Sequence, residues 1–151
     1  MPITLESLAT KIVVTATPET TATRAAQLMR AHHVGSLVVL DGSSDSGRPV
    51  GIVTDRDLVL AVMAEELDPA LFTVGDVMAV ELVTAPAGAS LMDATQQMRH
   101  HRVRRLIVLD EAGRVVGIAA LEDLLEAMTH EFGELVMALR GAREREIRER
   151  Q

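Results

Sequence analysis

A chain of 151 residues is long enough to bury most of its apolar surface in one compact unit, and with no cysteine it has no disulfide framework, cysteine-held zinc or thiol nucleophile. A formal net charge of -7 opposes general binding to a phosphate backbone. Two Phe, no Trp and no Tyr leave almost no platform for stacking single-stranded bases, so nucleic acid is not an expected partner.

The N-terminus, MPITLESLATKIVV, lacks the basic start and long apolar run of a signal peptide, and no stretch approaches the roughly eighteen apolar residues of a membrane span. No membrane association is expected, and a cytoplasmic location is. Residues 12–15 read as a short β-like run closed by a turn at Pro18. Thr21 is a candidate N-cap for a helix with apolar spacing Ala22, Ala25, Ala26 and Met29. Two strands rich in β-branched residues follow, 37–41 and 50–54, joined by Gly42-Ser43-Ser44-Asp45-Ser46-Gly47, a turn by composition. A second helix begins near Asp55 and runs to about Glu66, and residues 67–76, with Pro69 and Gly75, read as a connection.

From there the chain repeats itself. Residues 29–41 and 98–110 share the frame Met-Arg-x-His-x-Val-x-x-Leu-x-Val-Leu-Asp at a constant offset of 69 residues (98 − 29). Val14-Thr15-Ala16 lies over Val83-Thr84-Ala85, and Pro49-Val50-Gly51-Ile52-Val53 over Val115-Val116-Gly117-Ile118-Ala119 after a loop three residues shorter. The second copy therefore has its own first strand at 82–84. Its helix has the spacing Leu91, Ala94 and Met98 behind a Ser90/Asp93 capping pair, and a closing helix starts near Leu121. One such unit exposes an apolar sheet face, and two related by a pseudo-twofold bury those faces together.

His33-Val34-Gly35-Ser36-Leu37-Val38-Val39, Pro49-Val50-Gly51-Ile52-Val53-Thr54-Asp55-Arg56-Asp57-Leu58 and Gly75-Asp76-Val77-Met78 together resemble the tandem cystathionine-β-synthase (CBS) domain pair, or Bateman module, over residues 7–128. The resemblance implies an α/β (α+β) fold of two βαββα motifs packed by pseudo-twofold symmetry. It divides the chain into a first motif at 1–66, a connection at 67–76, a second motif at 77–128 and a C-terminal helical tail at 129–151. It also implies two clefts for adenosine-containing ligands such as AMP, ADP, ATP or S-adenosylmethionine, a homodimer, and a sensor acting on an unknown regulated protein.

The sharpest local chemistry is Gly51-Ile52-Val53-Thr54-Asp55-Arg56-Asp57 at a strand end and helix start. Thr54 can offer a hydroxyl to a phosphate beside free backbone N–H groups, and the Asp57 carboxylate can accept from a ribose diol. Thr54 and Asp55 are equally good capping residues, and Asp57 sits in a first turn where acids are favoured. The resemblance sets Thr54 and Asp57 against Leu82, Val83, Val103, Arg104 and Arg105, with Ile52 among the aliphatic walls for adenine and the two arginines meeting phosphate. Those arginines also fit a solvated strand entrance or pairing with nearby acids. The symmetric cleft keeps Asp123 but has Ala120 where Thr54 stands, and Val13, Val14, Val34, Gly35 and Ser36 form its other wall. One phosphate-bearing site and one weaker site are expected.

His32, His33, His100 and His101 sit side by side in pairs, which point apart on a helix, with no carboxylate or cysteine at ligand spacing. They read as polar helix ends, and no metal is expected. No nucleophile–base pair stands out either, so catalysis is not expected. Past Asp123, Leu124, Leu125, Met128, Phe132, Leu135 and Leu139 continue an apolar stripe suited to a homodimer contact over residues 124–140. After Gly141 the chain is nearly all charge. A ligand-free oligomerisation or interaction scaffold with the same fold is the alternative function.

Overall fold

The computed structural model describes residues 3–11, 13–42 and 47–150. Its elements come in the order α1 (Leu5–Leu8), β1 (Thr15–Ala16), α2 (Ala22–His32), β2 (Ser36–Asp41), β3 (Arg48–Thr54), α3 (Asp55–Leu58), which opens into a π turn (Val59–Met63), α4 (Val74–Val77), β4 (Thr84–Pro86), α5 (Leu91–His101), β5 (Arg105–Leu109), β6 (Val115–Ala120) and α6 (Leu121–Glu149). β1-β2-β3 and β4-β5-β6 form two three-stranded sheets, each with a parallel pair followed by an antiparallel hairpin. Both hairpins carry a register shift at the same place, Val39/Leu40 and Val108/Leu109.

Alternation along the central strands builds the layers. Leu37 and Val39 join Ala25, Met29, Val53 and Val74 in one core, while Leu106 and Val108 join Ala94, Met98, Ala119 and Leu124 in another. The intervening residues Val38, Leu40 and Ile107 face the opposite way and meet each other, with Val13, Leu82, Leu109, Val115 and Ile118 around them. The two sheets thus pack face to face with helices outside. Aliphatic side chains alone fill the contact, which is why the chain manages with two aromatic residues.

The helix caps follow the sequence. Thr21 accepts from the N–H of Arg24, and Ser90 and Asp93 form a reciprocal capping box. His33 and Arg102, 69 residues apart, close α2 and α5 in the left-handed conformation at φ 54° and 56°, each donating its N–H to a methionine carbonyl, of Met29 and Met98 respectively. His33 is therefore a helix end, as its position suggested.

Three expectations shift. The opening strands pair later than their apolar runs, at Thr15–Ala16 and Thr84–Pro86, because Val13 and Leu82 are occupied in the contact between the sheets. Ile12 and residues 43–46 of the turn lie outside the described residues. The expected helix from Asp55 to Glu66 is α-helical for one turn only. It widens at Val59–Met63, buries Val62, and ends at Glu66 with φ 55°.

The two short helices exchange places. α4 leads into the second repeat yet packs on the first, with Val74 in that core and N–H bonds from Val74 to the Thr20 carbonyl (2.7 Å) and Gly75 to that of Pro18 (2.8 Å). α1 does the reciprocal: Leu5 is buried in the second core, and Leu5 and Glu6 donate to the carbonyls of Ala89 and Ala87, both at 2.9 Å. Every partner in one set lies 69 residues from its counterpart in the other, which establishes the pseudo-twofold at the level of single hydrogen bonds.

Candidate functional site

β3 delivers Thr54 to the start of α3, where φ -113° and ψ 163° make it an extended N-cap. Its Oγ1 accepts from the Asp57 N–H at 3.1 Å, and Asp57 Oδ2 accepts from the Thr54 N–H at 2.8 Å. Both residues are half-buried. The capping role and the motif thus fall on the same pair. Ser90/Asp93 forms an equivalent box and Thr73/Asp76 its N–H-to-carboxylate half, but in both the hydroxyl also donates to the carboxylate, at 2.7 and 3.1 Å. Thr54 makes no such bond to Asp57. Among the described residues its hydroxyl hydrogen and Asp57 Oδ1 have no partner.

Asp55 donates its N–H to the Gly35 carbonyl at 3.0 Å, and a β-carbon on Gly35 would stand 3.3 Å from Asp55 Oδ2. Ser36 pairs with Thr54 across the ladder. Gly35 and Ser36 therefore stand at the start of α3, within their own repeat. Arg104 and Arg105 hold the equivalent places at the start of α6: the Arg104 carbonyl accepts from Leu121 at 2.8 Å and Arg105 pairs with Ala120. The Arg104 guanidinium is joined to Glu122, both exposed. The Glu122 carboxyl is held below its usual range, first by its own backbone N–H and then by Arg104, with Arg105 adding a smaller attraction. No hydrogen bond or ion pair among the described residues joins Thr54 or Asp57 to either arginine.

The apolar wall residues divide between layers. Leu82 and Val13 lie in the contact between the sheets; Val83 and Val103 flank the second core, and Val14 and Val34 the first. All six are half-buried, as is Ile52. Asp123 accepts from the Ala120 N–H at 2.9 Å, half of the box that Thr54 completes in the first repeat.

Two further pairs shape the site without any motif to announce them. Ile52 exchanges both backbone hydrogen bonds with Ala79 (2.9 and 3.1 Å), and Ile118 with Thr10 (2.9 and 3.2 Å). Gly51 and Gly117 stand where those crossings occur, against Met78 and Ala9. The 69-residue offset between Ala9-Thr10 and Met78-Ala79, beside a glycine in each repeat, was the available signal. Among the described residues no three His, Cys, Asp or Glu side chains gather as a metal site, and no helix is long and apolar enough to cross a membrane.

The family model of the CBS domain matches residues 5–64 and 74–130. The CBS domain-containing protein YhcV of Bacillus subtilis is 40% identical over 112 residues, 74% of this chain and 76% of that protein. An uncharacterized protein of Methanopyrus kandleri is 30% identical over 124 residues, which are 82% of this chain but only 62% of that longer protein. Among solved structures, that of hypoxic response protein I, described with two coordinated zinc ions, superimposes with a TM-score of 0.68 at 34% identity, covering 82% of this chain and 98% of that one.

Proposed function

Because the chain belongs to the CBS domain family and carries two such domains in tandem, we propose that it is a non-catalytic regulatory module that binds an adenosine-containing ligand at Thr54 and Asp57. AMP, ADP or ATP is the ligand type, with S-adenosylmethionine as the other candidate. The observation that carries this reading is the unspent hydroxyl hydrogen of Thr54: at the other two Thr/Ser–Asp helix starts Thr73 and Ser90 donate theirs to the carboxylate, whereas Thr54 does not, and Asp57 Oδ1 beside it has no partner among the described residues. A hydroxyl and a helix start suit phosphate, and Asp57 Oδ1 suits a ribose diol. Ile52, Leu82, Val83 and Val103 supply aliphatic surface for the base, and Arg104 and Arg105 supply cations for phosphate once Arg104 leaves Glu122. The second site, around Asp123 with the walls Val13, Val14, Val34, Gly35 and Ser36, has Ala120 where the first has the Thr54 hydroxyl and binds more weakly.

Occupancy is passed to a regulated partner only if ligand binds one arrangement of the module better than another. The module acts as a homodimer, paired through the apolar groove of about 780 Å³ between α2 and the α3–π segment.

Calorimetric titration with AMP and ATP tests the site. Asp57→Ala is expected to abolish measurable binding, while Asp93→Ala, which breaks an equivalent cap away from the site, leaves it within about twofold. Unchanged affinity in Asp57→Ala rejects the assignment. The second reading, a ligand-free scaffold, is favoured by the Arg104–Glu122 pair and by the capping duty of Thr54 and Asp57. Thermal stabilisation by AMP, ATP or S-adenosylmethionine decides against it, and no stabilisation by any of them decides for it.

A further inference from the structure

The nucleotide reading leaves the far end of α6 without a role. From Met128 to Glu149 every residue is exposed, a rod of about 33 Å at 1.5 Å per residue, and the family match ends at residue 130. Leu125, Met128, Phe132, Leu135, Leu139 and Ala142 follow one another at spacings of three and four, the a and d positions of a coiled-coil seam. Phe132 and Leu135 are 62% and 65% exposed. A lone helix gains nothing from such a seam in water; a second helix laid along it does.

We infer that this seam is covered by α6 of a second copy of the chain, laid antiparallel, with Phe132 against the partner's Ala142 and Leu135 against the partner's Leu139. The flanking charges set the direction. A parallel pair places Glu146 against the partner's Glu146 within the seam and Arg145 beside the partner's Arg150, and brings no opposite charges together across the flanks. Reversal separates these like charges. It puts Glu131 beside the partner's Arg145 and Glu122 beside the partner's Arg150, each contact occurring twice by the twofold. Arg145, which holds Glu149 within its own helix at 2.8 Å, gains a second carboxylate. The large Phe132 meets the small Ala142, and the two Leu135/Leu139 layers fill the centre.

The body sets the register. Leu124 is buried at 1% exposure, so Leu125 is the first open seam residue. The partner's helix, running to its Glu149, comes alongside Leu125 and stops there. Glu146 and Glu149 bound the apolar overlap to residues 132–142 of each helix.

The chain has no cysteine of its own, so full-length Leu135→Cys and Leu139→Cys variants report the pairing directly by oxidation. The equal mixture is expected to give disulfide-linked heterodimers and neither variant alone to link with itself, since a disulfide needs Cα atoms within about 7 Å. Self-linkage of the separate variants means parallel helices and overturns the proposal, and so does the absence of any linked dimer. Adding Arg145→Glu to both chains is expected to slow linkage about threefold or more, and adding Glu131→Arg as well to restore it. Faster linkage with Arg145→Glu, or no rescue by the second change, overturns the charge register. These readouts rest on α6 alone, so their failure leaves ligand binding at Thr54 and Asp57 standing, and the reverse holds.

Discussion

Gly117 lies so close to Ala9 that a β-carbon on the glycine would stand 2.7 Å from the alanine Cβ and 3.1 Å from the Thr10 carbonyl oxygen. The crossing fastens the N-terminal segment to the second repeat, and Gly51 repeats it against Met78 and Ala79. The two glycines are not equally exacting. A backbone carbonyl oxygen stands 3.1 Å from the β-carbon position at both, but the closest atoms at Gly51 are the Sδ and Cγ of Met78, a flexible side chain, whereas at Gly117 the closest is the Ala9 Cβ, which cannot turn aside. Gly117→Ala is expected to cost about 1–3 kcal/mol by overpacking, and Gly51→Ala less. Urea unfolding at constant m-value measures both, and the reverse order would show that Met78 cannot move aside.

The missing hydroxyl at Ala120 gives a gain-of-stability test. Asp123 already bonds the Ala120 N–H at 2.9 Å, so Ala120→Thr supplies the other half of the box and is expected to add about 0.5–1 kcal/mol. Thr54→Ala removes the equivalent half and should cost about 1 kcal/mol. For a domain of this size each change moves Tm by roughly 2–4 °C in opposite directions. A neutral Ala120→Thr would mean that Asp123 cannot hold both positions of the box.

The elements of this fold that were legible in the sequence are those whose signal is local or repeated. Leu37, Val38 and Val39 alternate between two cores because a strand has two faces, and the 69-residue echo at Leu106, Ile107 and Val108 says that both copies do so. The exchange of Leu5 and Val74 was not legible, because a four-residue helix has no periodicity and its partner core lies in the other repeat. Leu58, Val59, Val62 and Met63 fit an α-helix as well as the π turn they form. At the site, Thr54 and Asp57 are readable because their partnership spans three residues. Arg104 and Glu122 are eighteen apart, and only the fold brings them together.

Three carboxylates sit below their ordinary pKa: exposed Asp93 through the Ser90 hydroxyl and N–H, half-buried Asp110 chiefly through the Arg114 N–H, and exposed Glu122 through its own N–H and Arg104. A carboxylate that is easier to ionise in the folded chain stabilises it fully above the unfolded pKa, and the contribution disappears as pH falls through the folded value. Stability is therefore expected to be insensitive to these groups above about pH 5 and to decline below about pH 4. Asp93→Asn should make that acid limb shallower. Chemical denaturation at a series of pH values from 6 to 3 reads it, and an unchanged limb would remove Asp93 from the account.

Met63 is 71% exposed on the rim of the groove that Ala22, Ala26, Met29, Leu58 and Val62 line. Burying such a side chain is favourable by about 1.5–3 kcal/mol, whereas a cation in its place would have to be desolvated without a partner. Met63→Arg is accordingly expected to weaken a dimer formed through this groove at least tenfold while leaving the unfolding midpoint of the separated chains unchanged, because the residue contributes little to its own core. Light scattering across a dilution series gives the first quantity and urea unfolding at low concentration the second. If the dimer survives Met63→Arg but is lost with Leu135→Glu, the groove is not the contact and α6 carries the association alone.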